Sequence, residues 1–499
     1  MTGAEWLNIG ETVLVVVLVA MVLIGAVPAF VMASQFLLVP VHGFVNHLKR
    51  SAPTSPRVAV IVPAWNEGAV LAESIDRLMR LEYPDGRLRI YVVDDASTDD
   101  TPQVVQAKAL QYPGAVFHLR REVGGEGKSH TLNHGIRHVM ADDWMEALLI
   151  MDADVIYLPD SLRKMTRHLA DPEVGAVTAY IREGSADKNY LSRFVSFEYV
   201  LGQLGSRRAQ NVGGAITCLA GGAQLHTRRN IEDLGGAIDT SSLAEDTVTT
   251  FETQLSGKRV VFEPLAVVLA EEPQRVGALW KQRLRWARGN VQITKRYRDI
   301  WFRPSSEHRL GSIFFGLAWF GIYLLPVFMI MASIGLISLY VMESPISEFI
   351  FRSMWIVVGA ASIYTITLAA MLDPGITRTA WREVVLFPGV LFTIVVLSAF
   401  FPGLFTELVP SLFGLRMTET GIDIWYIAIY AWISLCILGA WGVKKLDEAN
   451  APEWLMAMTV YLLGYGPILV AITFDSYVKE AQGAAMVWDK TEKTGRVMA

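Results

Sequence analysis

Arg57-Val58-Ala59-Val60-Ile61-Val62-Pro63-Ala64-Trp65-Asn66-Glu67 opens with an unbroken apolar run rich in β-branched residues and then turns polar at Asn66. A run this short, with no polar alternation, reads as a strand buried on both faces, so the polar residues behind it stand at the strand's carboxyl end. The same grammar continues downstream. Val70–Arg80 and Thr101–Gln111 have helical patterns, and Leu88–Val93, Val116–Leu119, Ala147–Met151 and Val174–Thr178 read as further strands. Strands alternating with helices predict a mainly parallel sheet covered on both faces, with ligands bound at the carboxyl ends of the strands. Asn66, Glu67, Asp94, Asp95, Asp152 and Asp154 all fall there. Asp and Asn favour any turn, so one such residue means little, and three strands ending this way mean more.

Outside this region the chain changes character. Its 499 residues are 52% hydrophobic and 19% charged, with a mean hydropathy of +0.34. That is too apolar for an ordinary soluble enzyme and too charged for membrane spans alone. The charge is gathered in residues 49–310, between apolar flanks. A net charge of −5 with dispersed Lys and Arg gives no sign of nucleic-acid binding, and two cysteines, Cys218 and Cys436, make no disulfide framework.

Thr12–Ala33 is long enough to cross a bilayer, and no Lys or Arg precedes it, so it reads as a span rather than a signal peptide. His47, Lys49, Arg50 and Arg57 follow it, which predicts an outer N-terminus and a cytosolic centre. Five more candidates lie near Ile313–Val341, Met354–Leu372, Val384–Phe401, Ile424–Val443 and Leu455–Phe474. Six spans would leave the basic tail Trp488–Arg496 outside, against its charge, so either one segment is re-entrant or flat, the best suspect being the Pro/Gly-interrupted stretch Phe400–Leu415 with its neighbour, or one long run crosses differently.

Within the charged centre, several constellations carry chemistry. Asp152-Ala153-Asp154 follows the strand Ala147–Met151, and extended alternation would turn both carboxylates to one side, where Mg²⁺ or Mn²⁺ shares oxygen ligands with a substrate's phosphates. Gly124-Gly125-Glu126-Gly127-Lys128-Ser129 is not a Walker A loop, because Glu122 stands where its first Gly belongs. Lys128 can still reach a diphosphate; the alternative is a turn with a solvated lysine. Glu245 and Asp246 stand at the start of a helical stretch, where the helix dipole favours acids in any case. After Asp246 come 35 residues and then Gln282-Arg283-Leu284-Arg285-Trp286, on an amphipathic stretch that would also suit a membrane surface.

The order Asp95, Asp152-Ala153-Asp154, Asp246, Gln282-Arg283-Leu284-Arg285-Trp286 resembles the D, DxD, D, QxxRW series of processive family 2 membrane glycosyltransferases, which build cellulose, chitin, hyaluronan and poly-N-acetylglucosamine. The resemblance runs from about residue 58 to 296 and leans toward poly-β-1,6-N-acetylglucosamine synthases at Leu279–Ala287 and Val174–Thr178. It implies an α/β GT-A (nucleotide-diphospho-sugar transferase) domain inserted between α-helical transmembrane segments. Residues 1–48 would hold the first span, 49–277 the cytosolic GT-A domain, 278–310 the interface helix, 311–477 a multi-span channel and 478–499 the tail. In this reading Asp246 is the general base, with Glu245 beside it in a Thr-Glu-Asp motif that has Ala244 for Thr. Pro63, Asn66, Glu67, Asp95, Lys128, Asp152, Gln282, Arg285 and Trp286 bind the nucleotide-sugar; Asp152 and Asp154 hold Mg²⁺ or Mn²⁺; Gly221 and Gly222, in a loop that is otherwise a plain turn, seat the acceptor.

The implied activity is an inverting, processive transferase in the plasma membrane that polymerises a UDP-sugar, first of all UDP-N-acetylglucosamine, onto a growing polysaccharide and passes it through its own channel. Membrane lipids and accessory export or regulatory subunits are the expected partners. A nonprocessive transferase acting on a polyprenyl-phosphate or other lipid acceptor is the alternative. A transporter with a binding domain is disfavoured, since the apolar runs hold almost no ionisable residues away from their ends.

Overall fold

The computed structural model describes residues 3–45, 48 and 50–485, the side chains from residue 9 onward; His47, Lys49 and the tail Trp488–Arg496 lie outside the described residues. The chain forms two compact units. One comprises Met1–Ser34, Arg275–Leu284 and Leu317–Gln482, the other Gln35–Gln274, Arg285–Gly316 and Gly483–Ala499.

The second unit is built on one eight-stranded sheet: β1 (Val58–Ala64), β2 (Leu88–Asp94), β3 (Val116–Arg120), β4 (Ala147–Ile150), β5 (Ile156–Tyr157), β6 (Val174–Glu183), β7 (Gln224–Thr227) and β8 (Arg259–Ala270). Their order across the sheet is β3-β2-β1-β4-β7-β6-β8-β5. The first four run parallel, as the βα alternation predicts, because helices α1 (Gly68–Met79), α2 (Thr101–Gln111) and α3 (Lys128–Met140) supply the crossovers. Beyond β4 the sheet becomes mixed, although only β5 and β7 run against the direction shared by the other strands, so it stays mainly parallel as expected. β7 is antiparallel to both β4 and β6, β8 is parallel to β6, and β5 is antiparallel to β8. The physical cause is in β7, which enters between β4 and β6 from a loop of small residues rather than from a crossover helix.

Val58–Val62, Ile90 and Leu148–Ile150 are buried, and Ile61, Val93, Leu132, Ile136 and Ile150 share one core with α3. Gly135 of α3 meets this sheet with no room for a side chain, since a Cβ there would lie 2.9 Å from Val93 Cγ2 and 3.1 Å from Ile61 Cδ1. Two further helices matter for the site: α4 (Glu245–Leu255) and α5 (Val276–Arg296).

The other unit is helical and apolar. Among the described residues Ile9–Phe44, Ile346–Leu372 and Glu419–Glu448 are each long and apolar enough to cross a membrane, and three bent pairs raise the number to as many as six. The pair Ile313–Tyr323 with Leu325–Val341 bends by 71°, and Glu453–Leu463 with Tyr465–Ala481 by 86°. Val390–Phe400 with Leu404–Leu412 bends by 103°, at the Pro402-Gly403 interruption inside the suspected stretch. Small residues let the N-terminal helix close on its neighbour: a Cβ on Gly25 would lie 2.5 Å from Ala332 Cβ, and one on Gly335 would lie 2.8 Å from the Leu18 carbonyl. Trp280 is buried in this unit and donates its indole N–H to Asp475 at 2.8 Å.

Candidate active site

β1 ends in a turn whose backbone is bent into the left-handed region at Asn66, with φ of 53°. Asn tolerates that conformation better than most residues, and here its side chain adds a second reason. Asn66 Oδ1 accepts from the amides of Thr98, at 2.9 Å, and Asp99, at 3.3 Å, while its own amide donates to Ser97 Oγ at 2.9 Å. The turn after β1 is thus tied to the turn after β2. Glu67 stands at the N-cap position of α1 and donates its amide to Thr101 Oγ1 at 2.8 Å, and Pro63 stands within β1 just ahead of the turn.

Asp94 and Asp95 divide the work expected of one residue. Asp94 is fully buried, accepts from the Ser97 amide at 2.8 Å and pairs with Arg120 at 3.2 Å, so it braces the turn. Asp95 also has only a small exposed surface, and its carboxylate pairs with Arg121 and accepts from the Gly125 amide at 3.0 Å. Arg121 in turn pairs with Glu126. Asp95 therefore anchors the glycine-rich loop Gly124–Gly127 beside the turn, a link that Arg121 completes and that sequence reading missed.

The loop delivers Lys128. Gly127, with φ of 103°, adopts a conformation that strongly favours glycine and starts α3 at Lys128. Lys128 is 9% exposed, and its ammonium lies 2.5 Å from Asp152 Oδ1 and 3.7 Å from Glu245 Oε1. Burial alone would lower its pKa, but the charges of Asp152, Glu245 and Asp246 outweigh burial and leave it raised. Lys128 is held charged in a nest of acids.

Asp152 and Asp154 lie beyond the last residue of β4, in a turn, so strand alternation is not what orients them. Asp152 is partly open and faces Lys128, whereas Asp154 is only 6% exposed. The loop before β7 closes the ring. A Cβ on Gly221 would lie 3.3 Å from Lys128 Nζ, 3.5 Å from Asp246 Oδ2 and 3.9 Å from Asp152 Oδ2, and one on Gly222 would lie 3.6 Å from Asp152 Oδ2. Gly221 is where Lys128, Asp152 and Asp246 converge, and a side chain there would take the space between them.

Glu245 and Asp246 form the first turn of α4, which suits their charge. Asp246 Oδ1 accepts from the Thr247 amide at 2.7 Å, leaving Oδ2 toward Gly221. Glu245 is buried, and its pKa is raised by burial and by Asp246, against the pull of Lys128 and Arg285. A polar stripe behind Asp246 fixes the helix to the glycine loop. Thr250 donates its hydroxyl to the Asp246 carbonyl at 2.6 Å and accepts from the Leu219 amide at 2.8 Å, and Gln254 bonds both the amide and the carbonyl of Ile216. Thr178 of β6 accepts from the Ala220 amide at 3.0 Å. Sequence reading missed these residues, although Asp246, Thr250 and Gln254 recur every fourth position on one helix face.

Residues 56–289 match the model of the glycosyltransferase like family 2. They form a family 2 glycosyltransferase domain. The chain is 30% identical over 268 residues to the probable glycosyltransferase YdaM of Bacillus subtilis, covering 52% of this chain and 61% of that protein. It is 28% identical over 242 residues to a poly-beta-1,6-N-acetyl-D-glucosamine synthase of Staphylococcus aureus, covering 48% of this chain and 56% of that protein. The chain thus spans little more than half the length of these curated relatives. The mannosyltransferase PcManGT of Pyrobaculum calidifontis, solved with GDP-Man and Mn2+, is similar with a TM-score of 0.49 at 24% identity, covering 76% of this chain and 99% of that one. The glycosyltransferase domain has a GT-A-like fold.

α5 carries the remaining predicted residues. Arg285 acts electrostatically on Glu245, and Trp286 is 37% exposed. Gln282 belongs to the helical unit, where it pairs with Arg283. The structure therefore groups Asp152, Glu245, Asp246, Lys128, Gly221, Gly222 and Arg285, and ties Asn66, Glu67 and Asp95 into neighbouring turns.

For a divalent cation the donor set fits. Asp152 offers a partly exposed carboxylate that already faces a cationic group, with Asp154 two residues on, and Mg²⁺ needs only one or two protein carboxylates when substrate phosphates supply the rest. Among the described residues no three His, Cys, Asp or Glu side chains cluster as a self-sufficient metal site.

Proposed function

We propose that this protein is a membrane-embedded, inverting β-glycosyltransferase that polymerises a UDP-sugar, in the first place UDP-N-acetylglucosamine, and moves the product through its helical unit. The observation that carries the reading is the convergence of Lys128, Asp152 and Asp246 on the side-chain-free position Gly221. One end of that space is cationic and suits a leaving diphosphate, and the other holds a carboxylate that suits an acceptor hydroxyl.

Asp246 Oδ2 takes the proton of the acceptor hydroxyl as that oxygen attacks the anomeric carbon. The bond from the anomeric carbon to the diphosphate oxygen breaks with inversion, and UDP leaves carrying the electron pair. Lys128 and Arg285 offset the charge that gathers on the diphosphate. Asp152 and Asp154 would hold Mg²⁺ or Mn²⁺, which when bound neutralises the same diphosphate. Gly221 and Gly222 let the acceptor ring approach backbone. Asp95 and the turn braced by Asn66 form the nucleoside end. Trp286, partly exposed on α5, is the aromatic residue that would meet a sugar.

The names of the synthase relatives support the choice of donor, the apolar helices support a multi-pass membrane protein, and the basic Arg50 and Arg57 after the first apolar helix support a cytosolic transferase domain. Membranes incubated with a panel of UDP-sugars, with UDP release measured and any polymer digested by linkage-specific glycosidases, test the reading. A β-1,6-linked polymer from UDP-N-acetylglucosamine is expected. A single sugar added to a lipid fraction would replace this reading with the nonprocessive one.

A further inference from the structure

Past Trp286, α5 continues with Gly289, Gln292 and Arg296, which share a face with Arg285 at spacings of four, three and four residues. The segment Asp239–Glu252 is laid along that face. Arg285 acts on Glu245. Gly289 abuts Ala244 so closely that a Cβ on the glycine would lie 2.5 Å from Ala244 Cβ and 3.2 Å from its amide nitrogen. Gln292 Oε1 accepts from the Leu243 amide at 3.1 Å and from Ser242 Oγ at 3.2 Å, and Ser242 Oγ accepts from the Ala244 amide at 3.1 Å. Arg296 donates to Asp239 at 2.9 Å, to Ser241 Oγ at 3.0 Å and to Glu252 at 3.0 Å.

We propose that Gly289 and Gln292 are positioning residues that set where Glu245 and Asp246 stand, so that the helix bearing Arg285 and Trp286 and the acidic turn move as one body. The inference rests on the reading of Asp246 as base. Arg296 contributes less to this, because its ion pairs are partly exposed and exposed pairs are weak. Gly289 and Gln292 act on the backbone that leads directly into Glu245. A misplacement of about 1 Å at a reacting group can cost about 100-fold in rate, so a small shift of this turn is enough to matter.

The two contacts make opposite demands, and that separates positioning from mere packing. Gln292 Oε1 is the atom that meets the Leu243 amide and Ser242 Oγ. Gln292→Glu keeps an acceptor and should retain near wild-type kcat, while Gln292→Leu should lower kcat about 10- to 100-fold with the KM for UDP-N-acetylglucosamine within about twofold of wild type. Gly289→Ala should lower kcat by a similar factor, and the pair Ala244→Gly with Gly289→Ala should recover most of it, since the colliding methyl is removed from the other side. Amide hydrogen exchange reads the contact without reference to activity: the Leu243 amide should exchange faster in Gln292→Leu and stay protected in Gln292→Glu. If Gln292→Leu keeps wild-type kcat, or loses kcat with Leu243 exchange unchanged, the positioning role is overturned. Failure of the Ala244→Gly change to rescue Gly289→Ala overturns the part assigned to Gly289. Should the wild-type protein turn over no UDP-sugar, the functional reading fails first, and Leu243 exchange with the thermal stability of the double variant still decides whether the contact orders the turn.

Discussion

Asp246 and Asp154 are both carboxylates near one site, yet their surroundings assign them different work. Asp246 has one oxygen engaged by the Thr247 amide and the other facing Gly221, whereas Asp154, two residues past Asp152, is almost wholly buried. Asp246→Asn should reduce sugar transfer by at least about 10³-fold with UDP affinity nearly unchanged, because an amide cannot accept the acceptor's proton. Asp154→Asn should instead weaken UDP binding in the presence of Mn²⁺ and leave binding without metal nearly as it was. Titration calorimetry with and without chelator separates the two, and wild-type turnover in Asp246→Asn would falsify the base assignment. Glu245 supplies a pH signature. Its pKa is raised, so the folded state holds that proton more tightly than the unfolded chain does. The stability it contributes is full below its ordinary value of 4.5 and is lost as pH rises through the folded value. Glu245→Gln cannot lose a proton, so its melting temperature relative to wild type should climb as the pH is raised from the ordinary value of 4.5 into the neutral range. A gap between the two proteins that stays constant across that range would contradict the raised value.

At the scale of the element, α4 is held by the stripe Asp246, Thr250 and Gln254 rather than by its weakly apolar surface alone. Thr250→Val keeps the volume but strands the Leu219 amide and frees the Asp246 carbonyl, which should cost about 1–3 kcal/mol. Thr250→Ser should recover most of the loss, and denaturant titration of the two variants measures both. The stripe also shows what was readable. Val58–Val62, Leu88–Val93 and Val116–Leu119 announce β1 to β3 because a buried parallel strand needs an apolar run, and Thr101–Gln111 coincides with its helix. β7 could not be read this way. Gln224-Leu225-His226-Thr227 has no apolar run and becomes a strand because β4 and β6 flank it; burial there holds His226 neutral, with its pKa lowered to about 4. β8 was hidden by Glu263-Pro264, a polar break that survives because Arg167 and His168 satisfy the buried Glu263. The site followed the same division. Residues whose chemistry is visible in their type, such as Asp152, Lys128 and Asp246, could be named from sequence, and those that act through another residue, as Arg121 does through Asp95 and Gln292 through the Leu243 amide, could not.

On the scale of the whole molecule, the topological question is set by helices that bend. The three long spans and three bent pairs allow several crossing numbers, and the charge of the connecting segments is the physical term that selects among them. Arg378 and Arg382 lie between Ile346–Leu372 and Val390–Phe400, and Lys444 and Lys445 close the helix Glu419–Glu448, so both places should face the cytosol. Glu343, between Leu325–Val341 and Ile346–Leu372, and Glu407, in the bend after Val390–Phe400, mark the opposite side. The proposed use of a UDP-sugar requires a cytosolic transferase domain, which agrees with Arg50 following the first apolar helix. In a background with Cys218 and Cys436 replaced by Ser, a cysteine placed at Glu343 should react with an impermeant maleimide on intact cells. A cysteine placed at Arg378 should react only after permeabilisation. Reversed labelling would put the site away from its nucleotide donor and would defeat the proposed activity and the orientation together, whereas labelling of both positions from outside would leave the chemistry standing and remove a crossing between them.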